Sequence, residues 1–103
     1  MQSTLQQISV LGATGSIGVS TLDVIARHPD RYQVFALSAD RRWQVLATQC
    51  LTHNPRYAVL NDSAAAVELE RELRRQGCAT EVLQGADSLS AIAAHEQVDT
   101  VMA

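Results

Sequence analysis

The sequence predicts an α/β fold in which helices cover a parallel sheet, and three observations carry that expectation. Short apolar runs alternate along the chain with longer stretches of helical period. The first run, Ile8-Ser9-Val10-Leu11, passes straight into a glycine-rich turn, Gly12-Ala13-Thr14-Gly15-Ser16-Ile17-Gly18, and then into a helical pattern. The 103 residues are enough for one small domain with a modest core. Together these features describe a Rossmann-like, doubly wound parallel sheet.

The elements follow in order. A first strand is expected over Gln6 to Leu11, then a helix from Ser16 to His28 closed by Pro29, with Ile17, Val24 and Ile25 on its buried side. Asp30 and Arg31 lead into a second strand, Tyr32 to Ser38, and a second helix runs from about Arg42 to His53, stopping before Pro55. Tyr57 to Leu60 is the third strand. Asp62 is placed to cap a third helix that ends at Gly77. That helix is amphipathic: Ala65, Ala66, Leu69 and Leu73 share one face, while Glu70 with Arg74 and Glu68 with Arg71 pair along a solvated one. Thr80 to Leu83 reads as a fourth strand, Ser88 to Ala94 as a short helix, and Val98 to Ala103 as the start of a fifth strand. A buried parallel strand is normally followed by the crossover that covers it, so the sequence reads as a piece truncated after about the fifth strand. No repeat, low-complexity tract or linker marks a second domain within residues 1–103.

The glycine turn points to a nucleotide phosphate. A strand ending in a tight turn delivers the next helix N-terminus, with its unpaired N–H groups and partial positive charge, to a single point. Gly12 permits the turn's dihedral angles, Gly15 the close approach of backbone to pyrophosphate, and Gly18 the packing of helix on strand. The spacing is G-x-x-G-x-x-G, so Thr14 stands where many dinucleotide binders carry glycine, with a hydroxyl able to face the phosphates. The competing reading is a glycine-rich βα turn that binds nothing.

Choice between the nicotinamide cofactors is made at the end of the second strand, here Ser38-Ala39-Asp40-Arg41-Arg42. Asp40 alone suggests NADH, because a carboxylate accepts from ribose hydroxyls. Two consecutive guanidiniums, Arg41 and Arg42, favour the 2′-phosphate of NADPH if the loop turns them inward. A third possibility is that Asp40 caps the following helix and the arginines lie in solvent.

Composition narrows the partners. Eight Lys+Arg stand against eleven Asp+Glu, a net charge of −3, with no basic run longer than a pair, which argues against a nucleic-acid surface. Cys50 and Cys78 form no metal or redox motif and are read as reduced thiols of a cytoplasmic protein. Met1 to Gln7 has neither a basic start nor a secretory apolar core, and no stretch is long enough to span a membrane. No His/Cys/Asp/Glu cluster has metal-ligand spacing, and His28, His53 and His95 are read as structural.

Several blocks taken together resemble the N-terminal region of the 1-deoxy-D-xylulose 5-phosphate reductoisomerase family. They are Gly12-Ala13-Thr14-Gly15-Ser16-Ile17-Gly18 with Ser20-Thr21-Leu22-Asp23-Val24, then His28-Pro29, Ala36-Leu37, Pro55-Arg56-Tyr57-Ala58-Val59 and Val98-Asp99-Thr100-Val101-Met102-Ala103. The resemblance runs essentially end to end. It implies an enzyme of non-mevalonate isoprenoid biosynthesis that rearranges 1-deoxy-D-xylulose 5-phosphate and reduces the product with NADPH to 2-C-methyl-D-erythritol 4-phosphate. It also implies a divalent metal (Mg, Mn or Co), a phosphorylated sugar substrate and a homodimer for the full-length parent. From the same resemblance, Thr14, Gly15, Ser16 and Ile17 match cofactor-contacting positions and Arg41 the basic position after the second strand. Asp40 replaces a small residue there and Arg42 a polar one. The family's metal ligands and substrate contacts lie beyond Ala103, so no catalytic or metal-binding residue is expected in this chain. The alternatives are another NADP-dependent reductase with a G-A-T-G turn, such as a relative of aspartate-semialdehyde dehydrogenase, or a non-catalytic nucleotide-sensing module. The Ser20-Thr21-Leu22-Asp23 continuation argues against the former.

Overall fold

A computed structural model describes residues 5–103, so the expectation that the chain starts without a leader lies, for residues 1–4, outside the described residues. Nine elements alternate strictly: β1 (Gln6–Val10), α1 (Ser16–Ala26), β2 (Tyr32–Ala39), α2 (Trp43–His53), β3 (Tyr57–Leu60), α3 (Ser63–Arg75), β4 (Glu81–Gln84), α4 (Ala86–Ala94) and β5 (Thr100–Met102). The strands form one sheet in the order β4-β3-β2-β1-β5, all parallel. The chain steps outward in one direction as far as β4 and then returns across the sheet to the far side of β1. The topological switch point therefore lies between β1 and β5.

Right-handed crossovers put α1, α2 and α3 on one face and α4 on the other. Leu22 and Ile25 of α1, Leu46, Ala47 and Cys50 of α2, and Ala65, Ala66, Leu69 and Leu73 of α3 pack on Ile8, Val10, Val34, Leu37, Ala58 and Leu60. The second face holds a smaller cluster of Phe35, Ala36, Val59 and Ile92. Phe35 and Ala36 are consecutive, yet both belong to this face, because the β1–β2 register slips between Ile8↔Val34 and Ser9↔Ala36. The bulge inserts one residue and restores the alternation beyond it. Ser9, fully buried on this side, donates its hydroxyl to the Ile92 carbonyl at 3.0 Å, tying β1 to α4.

Local chemistry accounts for the helix ends. Asp62 accepts from the Ala65 amide at 2.8 Å and caps α3. That helix closes with Gly77 at φ +73°, the Gly77 amide on the Arg74 carbonyl (3.1 Å) and the Cys78 amide on the Leu73 carbonyl (2.8 Å), a Schellman arrangement. On its outer face the Glu70–Arg74 and Glu68–Arg71 pairs form at 3.0 and 3.3 Å, joined by Glu72–Arg75.

Four expectations are corrected. Ile17 and Val24 do not lie on the buried side of α1; they are 72% and 49% exposed, and the buried stripe is Gly18, Leu22 and Ile25. Apolar residues spread over well more than half of this helix's circumference, so its period alone does not decide which of them are buried. α1 also ends at Ala26, where the Arg27 and His28 amides turn to carbonyls three residues back, since the residue before Pro29 resists the helical conformation. β4 starts at Glu81, because Thr80 is committed to a 2.6 Å bond from its hydroxyl to the Pro55 carbonyl. α4 begins at Ala86, where Gly85 at φ +98° starts it earlier than the Ser88 expected.

Candidate functional site

The turn between β1 and α1 is held from three directions. The Leu11 amide donates to the Met102 carbonyl of β5 at 2.8 Å, extending the strand pairing to the turn's edge. Gly12 then takes φ +68°, a conformation that favours glycine. The end of β2 grips the next two amides: Gly12 N–H donates to Ser38 Oγ at 3.1 Å and Ala13 N–H to the Ser38 carbonyl at 2.7 Å. From α2, Gln49 Nε2 donates to the Ala13 carbonyl at 2.8 Å. Gly18 has no room for a side chain; a Cβ there would stand 2.4 Å from the Gly12 carbonyl oxygen and 2.6 Å from Ala13 Cα. Its tight contact is thus with the turn itself, not with the strand.

This anchoring leaves the start of α1 open. Gly15 is the N-cap, extended at φ −79° and ψ 171°, and no side chain among the described residues caps the helix. The first intrahelical bond is Val19 N–H to the Gly15 carbonyl at 2.9 Å, so the Ser16, Ile17 and Gly18 amides have no acceptor among the described residues. A Cβ on Gly15 would meet only the Gly12 carbonyl oxygen, at 3.5 Å, so the space before this helix end is free for a ligand. Ser16 and Ile17 are exposed and Thr14 is half-buried. Unpaired amides, an aligned helix dipole and open space suit a phosphate group.

Beside the turn, at the carboxyl ends of β1 to β4, lies a cleft of about 320 Å³. Leu11, Val59 and Leu89 supply apolar walls, and Gly12, Ser38, Asp40 and Asn61 the polar rim. Asp40 does not cap α2. The N-cap there is Arg42, with no side-chain cap, and the Asp40 carboxylate instead accepts from Asn61 Nδ2 at 3.3 Å. The chain's eight basic residues are all arginine. Arg27, Arg71, Arg74 and Arg75 pair with carboxylates, Arg31 lies over Tyr32, and Arg56 lies over Tyr57 and donates to Gln97. Among the described residues Arg41 and Arg42 alone have no such partner, and both are exposed.

None of the three histidines and neither cysteine lines this cleft. His95 Nδ1 accepts from the Gln97 amide at 3.0 Å, with the ring 4.7 Å from that of Phe35. His28 stands edge-on to Tyr32. Burial at the end of α2 holds His53 below the ordinary histidine range. Cys50 is fully buried and its thiol is pushed up to about 12, first by desolvation and then by Cys78. Among the described residues no three or more His, Cys, Asp or Glu side chains come together to hold a metal ion, and no helix is long and apolar enough to cross a membrane. A larger cleft of about 750 Å³ opens at the amino ends of the strands, lined by Gln33, Arg56, Gln97 and Asp99 among others. It lies at the opposite end of the sheet from the turn, whereas open α/β sheets take their ligands at the carboxyl ends.

Gly12, Thr14, Gly15, Ser16 and Ile17 are thus brought together around one helix terminus, with Arg41 and Arg42 following β2 beside the same cleft. Sequence reasoning missed Ser38, Gln49 and Asn61. For Ser38 a signal existed, since a serine breaking an otherwise apolar strand end is a candidate partner for a neighbouring turn. Gln49 and Asn61 act across the fold and carried none.

Comparison with known proteins gives one answer. The family model described as 1-deoxy-D-xylulose 5-phosphate reductoisomerase matches residues 8–103. The enzyme of that name from Cellvibrio japonicus (strain Ueda107) is 68% identical over 98 residues, covering 95% of this chain and 25% of its own. A crystal structure of DOX-P reductoisomerase with magnesium superposes with TM-score 0.90 at 38% identity, over 95% of this chain and 24% of that one. Another, with NADPH, fosmidomycin and magnesium, gives 0.89 at 37% identity, over 94% and 24%. The chain spans about a quarter of the length of the curated relatives it matches.

Proposed function

This chain belongs to the 1-deoxy-D-xylulose 5-phosphate reductoisomerase family, and from that premise we propose that it is the NADPH-binding part of the enzyme making 2-C-methyl-D-erythritol 4-phosphate from 1-deoxy-D-xylulose 5-phosphate. The observation that carries the reading is the uncapped start of α1, whose Ser16, Ile17 and Gly18 amides await an anion. The pyrophosphate sits on those amides, with Gly12 and Gly15 leaving it room and the Thr14 and Ser16 hydroxyls able to donate to it. Arg41, with Arg42 beside it, neutralises the 2′-phosphate. Leu11, Val59 and Leu89 offer the apolar walls an adenine ring needs.

NADPH, when bound, supplies the hydride; this chain's own residues bind and orient it. In this reading the phosphorylated sugar is held by another part of the whole protein, a cytoplasmic homodimer. The described residues do not fit a metal site. The divalent ion is therefore assigned to that other part too, and no step is derived through it here.

The test is a fluorescence titration of the complete product of the gene encoding this chain, with NADPH and NADH at one salt concentration and folding followed by circular dichroism. Tighter binding of NADPH supports the reading. Absence of binding by folded protein overturns it and leaves the glycine turn as structure alone.

A further inference from the structure

We propose that Asp40 is a second specificity element, opposed to the arginines: its carboxylate accepts the 2′-hydroxyl of an unphosphorylated adenosine ribose, so the site takes NADH as well as NADPH. The inference rests on the cofactor reading above and concerns the same cleft.

Asp40 lines that cleft together with Gly12, Ser38 and Asn61, whereas Arg41 and Arg42 do not line it. Its backbone is fixed at the carboxyl end of the central strand, with the Asp62 amide on the Asp40 carbonyl at 3.0 Å and the Asn61 amide on the Ala39 carbonyl at 3.3 Å. The side chain is aimed as well, since Asn61 Nδ2 donates to Oδ1 at 3.3 Å, while Oδ2 has no partner among the described residues. Although Asp40 precedes two arginines, neither guanidinium lies within ion-pair distance of it among the described residues, and it caps no helix. A charged acceptor is therefore presented, oriented and not neutralised, at the end of β2, where an acidic side chain meets ribose hydroxyls in dinucleotide-binding sheets.

The charges then work against each other. A ribose hydroxyl donates to Oδ2 and gains a charge-assisted bond. A 2′-phosphate at the same place meets the carboxylate as a like charge and depends on Arg41 and Arg42 to outweigh it. The two guanidiniums win, but by less than they would beside a neutral residue.

Asp40→Asn separates charge from shape, because the amide keeps an oxygen for Asn61 and loses the negative charge. Asp40→Gly removes the side chain altogether. In titrations of the complete gene product, both variants are expected to bind NADPH more tightly and NADH more weakly. The ratio of the two Kd values should move about tenfold, the worth of one charge-assisted bond. An unchanged ratio in both variants, with both nucleotides still bound, overturns the role of Asp40 and leaves the cofactor reading standing. Unmutated protein that binds NADPH but no measurable NADH also overturns it. Folded unmutated protein that binds neither nucleotide overturns the cofactor reading and this inference with it.

Discussion

Gly18 and Gly12 are packed so closely that no side chain fits between them: a Cβ on Gly18 would lie 2.4 Å from the Gly12 carbonyl oxygen. The obstructing atom is backbone, held in place by Ser38 and Gln49 through the amides and carbonyl of the turn, so no rotamer change relieves the clash. Gly18→Ala should therefore destabilise the fold by about 2 kcal/mol, overpacking strain exceeding what alanine gains in a helix. Gly15→Ala makes the contrast. Its Cβ meets one atom at 3.5 Å and its φ of −79° is ordinary, so stability should hold while NADPH affinity falls. Denaturant midpoints beside nucleotide titrations check both; equal stability losses would contradict the separation of packing from binding.

Gln49 reaches from α2 to the Ala13 carbonyl, and its own Oε1 is buried with no partner among the described residues. Gln49→Ala strands that carbonyl but also removes the unsatisfied oxygen, for a net loss of about 1 kcal/mol. Gln49→Glu should cost more at neutral pH, because it sets a carboxylate against a carbonyl oxygen where a donor stood. Urea unfolding of the two variants gives the order directly.

Arg41→Ala should raise the Kd for NADPH about tenfold or more and that for NADH by less than twofold, since only the phosphorylated cofactor presents a group for the guanidinium to neutralise. The gap should narrow as salt is added. Equal losses for both cofactors would remove Arg41 from the site.

Cys50 sets an alkaline limit. Its thiol is pushed from 9.0 up to about 12 in the folded chain by desolvation, with Cys78 adding to it. Above pH 9.0 the unfolded chain loses this proton while the folded one keeps it, so stability is fully present below that value and falls between 9.0 and about 12. Cys50→Ala should flatten that slope in urea midpoints measured against pH. Alkylation at neutral pH should label the half-buried Cys78 while sparing Cys50 until the protein unfolds.

Much of the fold was legible because its signals are local. Asp62 as the cap of α3, Gly77 at its end, the Glu–Arg pairs on its outer face and the glycine turn before α1 depend on residues within a few positions of one another. Hydrophobic period and turn chemistry report at that range. The candidate site was legible in the same measure: Gly12, Thr14, Gly15, Ser16 and Ile17 are consecutive or nearly so, and a strand–turn–helix sequence by itself gathers them at one helix end.

What tertiary structure alone decided acts across the sheet. α1 carries more apolar residues than one face can bury, and in the fold Gly18 packs on the turn with Leu22 and Ile25 inward while Ile17 and Val24 stay outside. The bulge at Phe35, the grip of Ser38 and Gln49 on the turn, and the bond from Asn61 that aims Asp40 each join elements distant in sequence. The sequence by itself determined the order of the elements and the glycine-lined start of α1. The sheet's register and the docking of α2 decided which way the polar groups around it face, because a hydrogen bond depends on distance in space and the sequence records only distance along the chain.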